Sequence, residues 1–185
     1  MGEETTASGD GSTAMGEETT ASGDRSTAMG EETTASGLNS TAMGYRTTAS
    51  GVESTAMGYL TTAKSYAELA IGLNNTDYTP ASTNSWQSGD RLFVIGNGTS
   101  VYAKSDAMIV YKNGNTIING ALTLSNGSDS ITLPNTDGTS GQVLATDGAG
   151  NISWSSVSSG SSLWTQGTGS TIYTTDNVGI GTSSG

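Results

Sequence analysis

Along the first 72 residues one small apolar position returns every seven residues, as Ala7, Ala14, Ala21, Ala28 and onward, set among Thr, Ser and Gly. Met1, Met15, Met29, Met43 and Met57 fall at every second return, with Ile71 in the next slot, and each is followed by glycine. The unit is therefore 14 residues in two unequal halves, Thr-Ala-Met-Gly-x-x-Thr and Thr-Ala-Ser-Gly-x-x-Ser. A period of seven invites a coiled coil, which needs two apolar positions per heptad, three and four apart. Here there is one, with Met as its direct neighbour. The recurring Gly costs a helix about 1 kcal/mol each time, and the Thr pairs lower helix propensity further. The pattern predicts strands instead. Thr-Ala-Met and Thr-Thr-Ala-Ser read as short extended segments, each ended by a corner Gly. Two strands and two corners make one coil of a β-solenoid. Coils hydrogen-bonded at about 4.8 Å would give the five complete copies a rise of roughly 24 Å.

The copies differ in the two residues after each Gly: Glu3-Glu4, Asp10-Gly11, Asp24-Arg25, Leu38-Asn39, Tyr45-Arg46, Val52-Glu53 and Tyr59-Leu60. Variation confined there marks solvent-facing corners. Ala, Ser and Gly leave a narrow interior, with Met as its flexible filler. Corner residues are acidic at first and become apolar or aromatic at Leu38, Tyr45, Val52, Tyr59 and Leu60. These five are the candidate ligand-binding residues, able to meet sugar or protein, or to pack on the following segment or a neighbouring chain. The pairs Glu3-Glu4, Glu17-Glu18 and Glu31-Glu32 read as acidic ladders two coils apart, about 10 Å. A solvated, self-repelling corner is a simpler account of them than divalent-cation binding.

Beyond the repeat, residues 73–90 break the period. Pro80 and a cluster of Asn, Asp, Ser and Thr mark a connecting loop, in which Trp86 reads as a packing anchor. Residues 91–120 hold three strand-like runs, Arg91–Ile95, Ala107–Lys112 and Thr116–Ile118, separated by Asn-Gly turns. They read as a β adaptor that seals the open end of the solenoid. Residues 121–156 are short alternating strands between strong turns, with too little core to stand alone unless three chains intertwine. Residues 157–185 open on a Ser/Gly linker and lead into what reads as the start of a further fibre repeat.

Composition sharpens this picture. Only 32% of the 185 residues are hydrophobic and 6% aromatic, so a single chain can build only a thin core. The strict period and the 12% of charged residues argue against disorder. A net charge of −11 disfavours nucleic acid and anionic membrane surfaces. There is no 18-residue apolar run that would predict a membrane span. The chain has no His and no Cys, which removes the usual general base, thiol nucleophile and transition-metal ligands. Asp147–Asn151 lacks the alternating ligands and closing Glu of a calcium loop and reads as a turn. No enzyme, cofactor or metal site is expected. Met1 occupies the repeat's own Met slot and no leader is visible, so the chain reads as a piece of a longer repetitive protein.

Ser-Thr-Ala-Met-Gly, alternating with Thr-Thr-Ala-Ser-Gly, resembles the head repeat of trimeric autotransporter adhesins, whose motif runs Ser-Val-Ala-Ile-Gly. Tyr66-Ala67-Glu68-Leu69-Ala70-Ile71-Gly72 is the closest match. The resemblance covers residues 1–72 and implies a left-handed parallel β-roll with three chains side by side. Thr replaces Val at the second slot and Met replaces Ile at the fourth, which would leave the interior more polar and looser. Gly141–Trp154 resembles segments of tail-fibre-like and surface-fibre proteins, and Val178–Thr182 resembles the phrase that precedes further fibre repeats or a C-terminal chaperone domain in such proteins. The expected fold is all-β, a β-solenoid of 14 residues per coil followed by short-stranded fibre segments in an intertwined homotrimer. The expected function is a structural and adhesive segment of an extracellular bacterial surface fibre that binds a host-surface or matrix glycan or protein. A phage or virus tail fibre is the alternative. Ice binding through a column of Thr13, Thr27, Thr41 and Thr55 is a third reading, weakened by the flanking Glu corners and by the inward Thr slots that the resemblance implies.

Overall fold

The computed structural model describes residues 2–157 and the strand residues 165–166 and 172–173. Every regular element among them is a strand. The chain divides into two compact units, Met1–Gly120 and Ala121–Gly185.

In the first unit short and long strands alternate. The short ones are β1 (Thr6–Ala7), β3 (Thr20–Ala21), β5 (Thr34–Ala35), β7 (Thr48–Ala49) and β9 (Thr62–Ala63). The long ones are β2 (Thr13–Glu17), β4 (Thr27–Glu31), β6 (Thr41–Tyr45), β8 (Thr55–Tyr59) and β10 (Leu69–Leu73). Each strand pairs in parallel with its copy one coil later. Thr27, Ala28, Met29 and Gly30 therefore lie beside Thr41, Ala42, Met43 and Gly44. The result is a parallel β-solenoid of 14-residue coils, as the repeat predicts.

The interior differs from the expected one. Neighbours along a strand face opposite sides, and Ser26 and Ala28 point inward, so Thr27 and Met29 point outward. The middle coils fill their centres with one Ser, one Thr and two Ala, such as Ser40, Ala42, Thr47 and Ala49, all fully buried. Met is thus not the interior filler, and Thr for Val and Met for Ile alter the outer face, leaving the core unchanged. Thr13, Thr27, Thr41 and Thr55 also stand on that outer face, while the inward column is Thr19, Thr33, Thr47 and Thr61. Most of these inward hydroxyls find no hydrogen-bond partner, so the stability of the stack comes from its backbone ladders and tight coil spacing.

The corners also differ. Gly16, Gly30, Gly44 and Gly58 lie inside the long strands, before the corner. The left-handed turn falls on the second variable residue instead: Glu18, Arg25, Glu32, Asn39, Arg46, Glu53 and Leu60 all have φ between 47° and 60°. Side chains other than Gly adopt this region at a cost of about 1–2 kcal/mol. Glu53→Gly is therefore expected to stabilise the solenoid by about 0.5–1 kcal/mol, after the larger unfolded-state entropy of Gly is subtracted. A thermal melt that shifts downward would contradict this.

Beyond the fifth long strand the sheet continues. β11 (Arg91–Asn97) adds to β10 in parallel, with Gly72 beside Gly96. β12 (Asp106–Tyr111) and β13 (Thr116–Ile118) then follow antiparallel. The long strands thus form one eight-stranded sheet from β2 to β13. The intervening loop folds back over the coils, where Thr83 O accepts from Val52 N at 2.8 Å and Ser82 O from Tyr66 N at 3.4 Å. A buried polar cluster holds this end together. The Arg91 guanidinium reaches the Asp106 carboxylate at 3.2 Å, donates to Thr76 O at 2.8 Å and stacks 4.3 Å from the Tyr78 ring centre. Glu68 takes the interior slot that Ser fills in earlier coils. Its Oε2 accepts from the Lys64 and Ser65 amides at 2.8 Å each and from the Tyr78 hydroxyl at 3.2 Å. Burial pushes the Glu68 carboxyl above its usual range, against the lowering pull of these donors and of Arg91.

The second unit contains β14 (Thr123–Ser125) with β15 (Ser130–Thr132), and β16 (Gln142–Thr146) with β17 (Ile152–Ser156), each pair antiparallel. The strand pair β18 (Thr165–Gln166) and β19 (Ile172–Tyr173) follows. Val178–Thr182 lies outside the described residues. Leu122, Leu124, Ile131, Val143 and Leu144 are all exposed, so the hairpins bury little of their own apolar surface. Isolated two-stranded hairpins are marginal in water.

Candidate functional site

Consecutive corners alternate between the two edges of the solenoid, which separates the five candidate residues. Tyr45, Tyr59 and Leu60 lie on the edge that follows the long strands; Leu38 and Val52 lie on the other. On the first edge the leading corner column runs Glu17, Glu31, Tyr45, Tyr59, Leu73 in strict register. The second column beside it runs Glu18, Glu32, Arg46, Leu60, Asn74. Glu17 and Glu31 are direct partners on adjacent strands, so the acidic ladder has a spacing of one coil, about 4.8 Å. It is not the two-coil ladder expected above: a 14-residue offset is a single turn.

The rings of Tyr45 and Tyr59 stack with centroids 5.0 Å apart and planes 16° from parallel. The Arg46 guanidinium lies 5.2 Å from the Tyr45 ring centre, and its Nε donates to Glu32 Oε2 at 2.7 Å. The Tyr45 hydroxyl donates to Glu32 Oε1 at 3.5 Å. The Arg46 hydrogen bond holds the Glu32 carboxyl below its usual range. Desolvation, the largest cause, moves the Tyr45 hydroxyl upward. Tyr59 and Leu73 remain 44% and 51% exposed, so the edge changes from carboxylates to an open aromatic and apolar strip. Sequence reading put Glu32 and Arg46 at corners without joining them to the binding candidates, and it left Leu73 to the loop that follows the repeat, whereas Leu73 ends β10. Their 14-residue offsets from the neighbouring corner residues were the available signal.

The other edge is partly closed. Leu38 is open at its corner, but Val52 lies under the folded-back loop, its amide bound to Thr83 O. Trp86, on that loop, is exposed and not packed as an anchor. Among the described residues no group of three or more His, Cys, Asp or Glu side chains could hold a metal ion. Asp147 is occupied by its own turn, accepting from the Ala149 and Asn151 amides and the Asn151 carboxamide, which together lower its pKa.

The outer face of the eight-stranded sheet is a second surface of interest. Met15, Met29, Met43, Met57, Ile71, Ile95, Met108 and Ile118 are successive register partners across it. Their neighbours two positions earlier along the parallel strands change from Thr to Leu69 and Phe93. The column crosses seven strand spacings, about 34 Å, without a polar break.

Comparison with protein-family models finds two copies of the YadA head domain repeat, at residues 7–33 and 35–61, both within the solenoid. No curated protein and no solved structure matches the chain.

Proposed function

Starting from a solenoid whose residues 7–33 and 35–61 are YadA head domain repeats, we propose that this chain is a non-catalytic segment of a trimeric surface fibre that attaches its bearer to a host, cell or matrix surface. The two repeat matches support a structural and adhesive role of the trimeric autotransporter type at a bacterial surface. The observation that carries self-association is the unbroken Met and Ile column on the outer sheet face, and the head-repeat match favours three copies. A single chain offers that column nothing to pack against. Three copies that turn it toward a common axis bury it and leave both solenoid edges free. The hairpins of the second unit, with their exposed Leu, Ile and Val, gain cover from the same association.

Light scattering on the purified chain is expected to give three times the chain mass. Met43→Glu combined with Met57→Glu places two buried carboxylates on each copy and is expected to dissociate the assembly. A well-folded monomer from the unaltered chain would overturn the proposal.

A further inference from the structure

We propose that the edge bearing Tyr45 and Tyr59 docks an arginine-bearing, extended polypeptide of a basic protein partner. This rests on the adhesive reading for its setting and adds the class of partner. The first support is the way the rings are stacked. Tyr45 and Tyr59 lie face to face, and Arg46 lies beside Tyr45. A guanidinium can lie against such a stack and hydrogen-bond beside it. Arg46 already does so within the chain, bridging the Tyr45 ring and the Glu32 carboxylate.

Charge complementarity along the same edge is the second support. Glu3, Glu4, Glu17, Glu18 and Glu31 continue the strip away from the rings, and none has an ion-pair partner among the described residues. The whole chain carries a net −11. Carboxylates recur at the coil spacing of about 4.8 Å, and alternate residues of an extended chain recur at about 6.8 Å. The fit is therefore loose in register, suited to long flexible Arg side chains and to many weak contacts in parallel. Arginine is favoured over lysine because its planar group stacks on an aryl ring and binds carboxylate through two donors.

The test uses the full chain and a fluorescein-labelled peptide of alternating arginine and glycine, with the lysine–glycine peptide in parallel. The arginine peptide is expected to bind, more tightly than the lysine peptide by about threefold or more, and to weaken as salt is added. Tyr45→Ser with Tyr59→Ser is expected to cost the arginine peptide at least about fivefold and the lysine peptide much less. Glu17→Gln with Glu31→Gln is expected to weaken both. Circular dichroism and the light-scattering mass of each variant show that fold and assembly persist. Equal affinity for the two peptides, or Tyr variants that bind the arginine peptide unchanged, would reduce the edge to a charged surface and overturn the proposal. So would a Tyr variant that loses its trimeric mass, because the rings would then serve the assembly, or an oligosaccharide that displaces the arginine peptide. The mass of the unaltered chain tests the fibre reading separately, so either idea can fail alone.

Discussion

Gly44→Ala is expected to destroy the solenoid as a cooperative unit. A Cβ built on Gly44 would sit 2.1 Å from the carbonyl oxygen of Gly58 on the next coil, and its φ of +121° is one that L side chains rarely adopt. Neither conflict has a local remedy. The oxygen belongs to backbone in the parallel ladder, so relief requires opening the coil spacing, which breaks the hydrogen bonds between β6 and β8. The same close approach recurs at Gly16, Gly30, Gly58 and Gly72, so the tight stacking belongs to the whole column. Backbone strain together with a severed ladder belongs to the class of substitutions that cost more than about 4 kcal/mol, against a total stability of about 5–15 kcal/mol for a domain. In a stack where each coil contacts only its neighbours, a break in the middle leaves two short pieces, each with a new open end. Thermal melting followed by circular dichroism is expected to lose its cooperative transition. Gly89→Ala is the control, because nothing lies within 4 Å of its added Cβ, and it is expected to stay within about 0.5 kcal/mol. A Gly44→Ala melt within a few degrees of the unaltered chain would show that the coils are spaced more loosely than described.

The period, the strand count per coil and the stacking register were legible because one 14-residue offset sets them all. The direction of the side chains was legible too, through the alternation of a strand, but the apolar character of Met obscured it. Ala28 and Met29 are adjacent and so cannot both face inward; the buried partner of Ala28 is Ser26, a residue that composition alone does not mark as core. The corner conformation was hidden for a different reason. Gly suggested the turn, yet the left-handed residue is Glu, Arg, Asn or Leu, held there by coil closure against its own preference. For the candidate site, counting in sevens already sends Tyr45 and Tyr59 to one edge and Leu38 and Val52 to the other. The covering of Val52 depends on how residues 73–90 return across two coils, a long-range arrangement that local pattern does not encode. The polar cluster around Arg91 was likewise invisible, since Thr76, Tyr78, Arg91 and Asp106 are brought together only by that return.

That cluster carries the other large expected effect. Asp106→Ala is expected to cost about 3–5 kcal/mol, because it leaves the Arg91 guanidinium without its paired carboxylate in a dry site. The Arg91 side chain is 8% exposed and that of Asp106 2%, so water cannot replace the lost carboxylate. The change also strips the Thr76 amide of its acceptor, Asp106 Oδ1 at 2.9 Å. Thr76 O and the Tyr78 ring still touch the guanidinium, but neither brings a full negative charge. β11 and β12 are joined through this pair as well as through their ladder, and β11 is the strand that covers the edge of β10. Residues 73–120 are therefore expected to gain amide hydrogen exchange and protease sensitivity first, while the coils before them keep their protection. Arg91→Met together with Asp106→Leu should recover most of the loss, because a buried ion pair replaced by apolar side chains of similar volume is often neutral or stabilising. A double-mutant cycle separates the pair from its surroundings. If Asp106→Ala costs less than about 1 kcal/mol, the value for an exposed pair, the two side chains are solvated and the end of the solenoid is held by its backbone ladder alone.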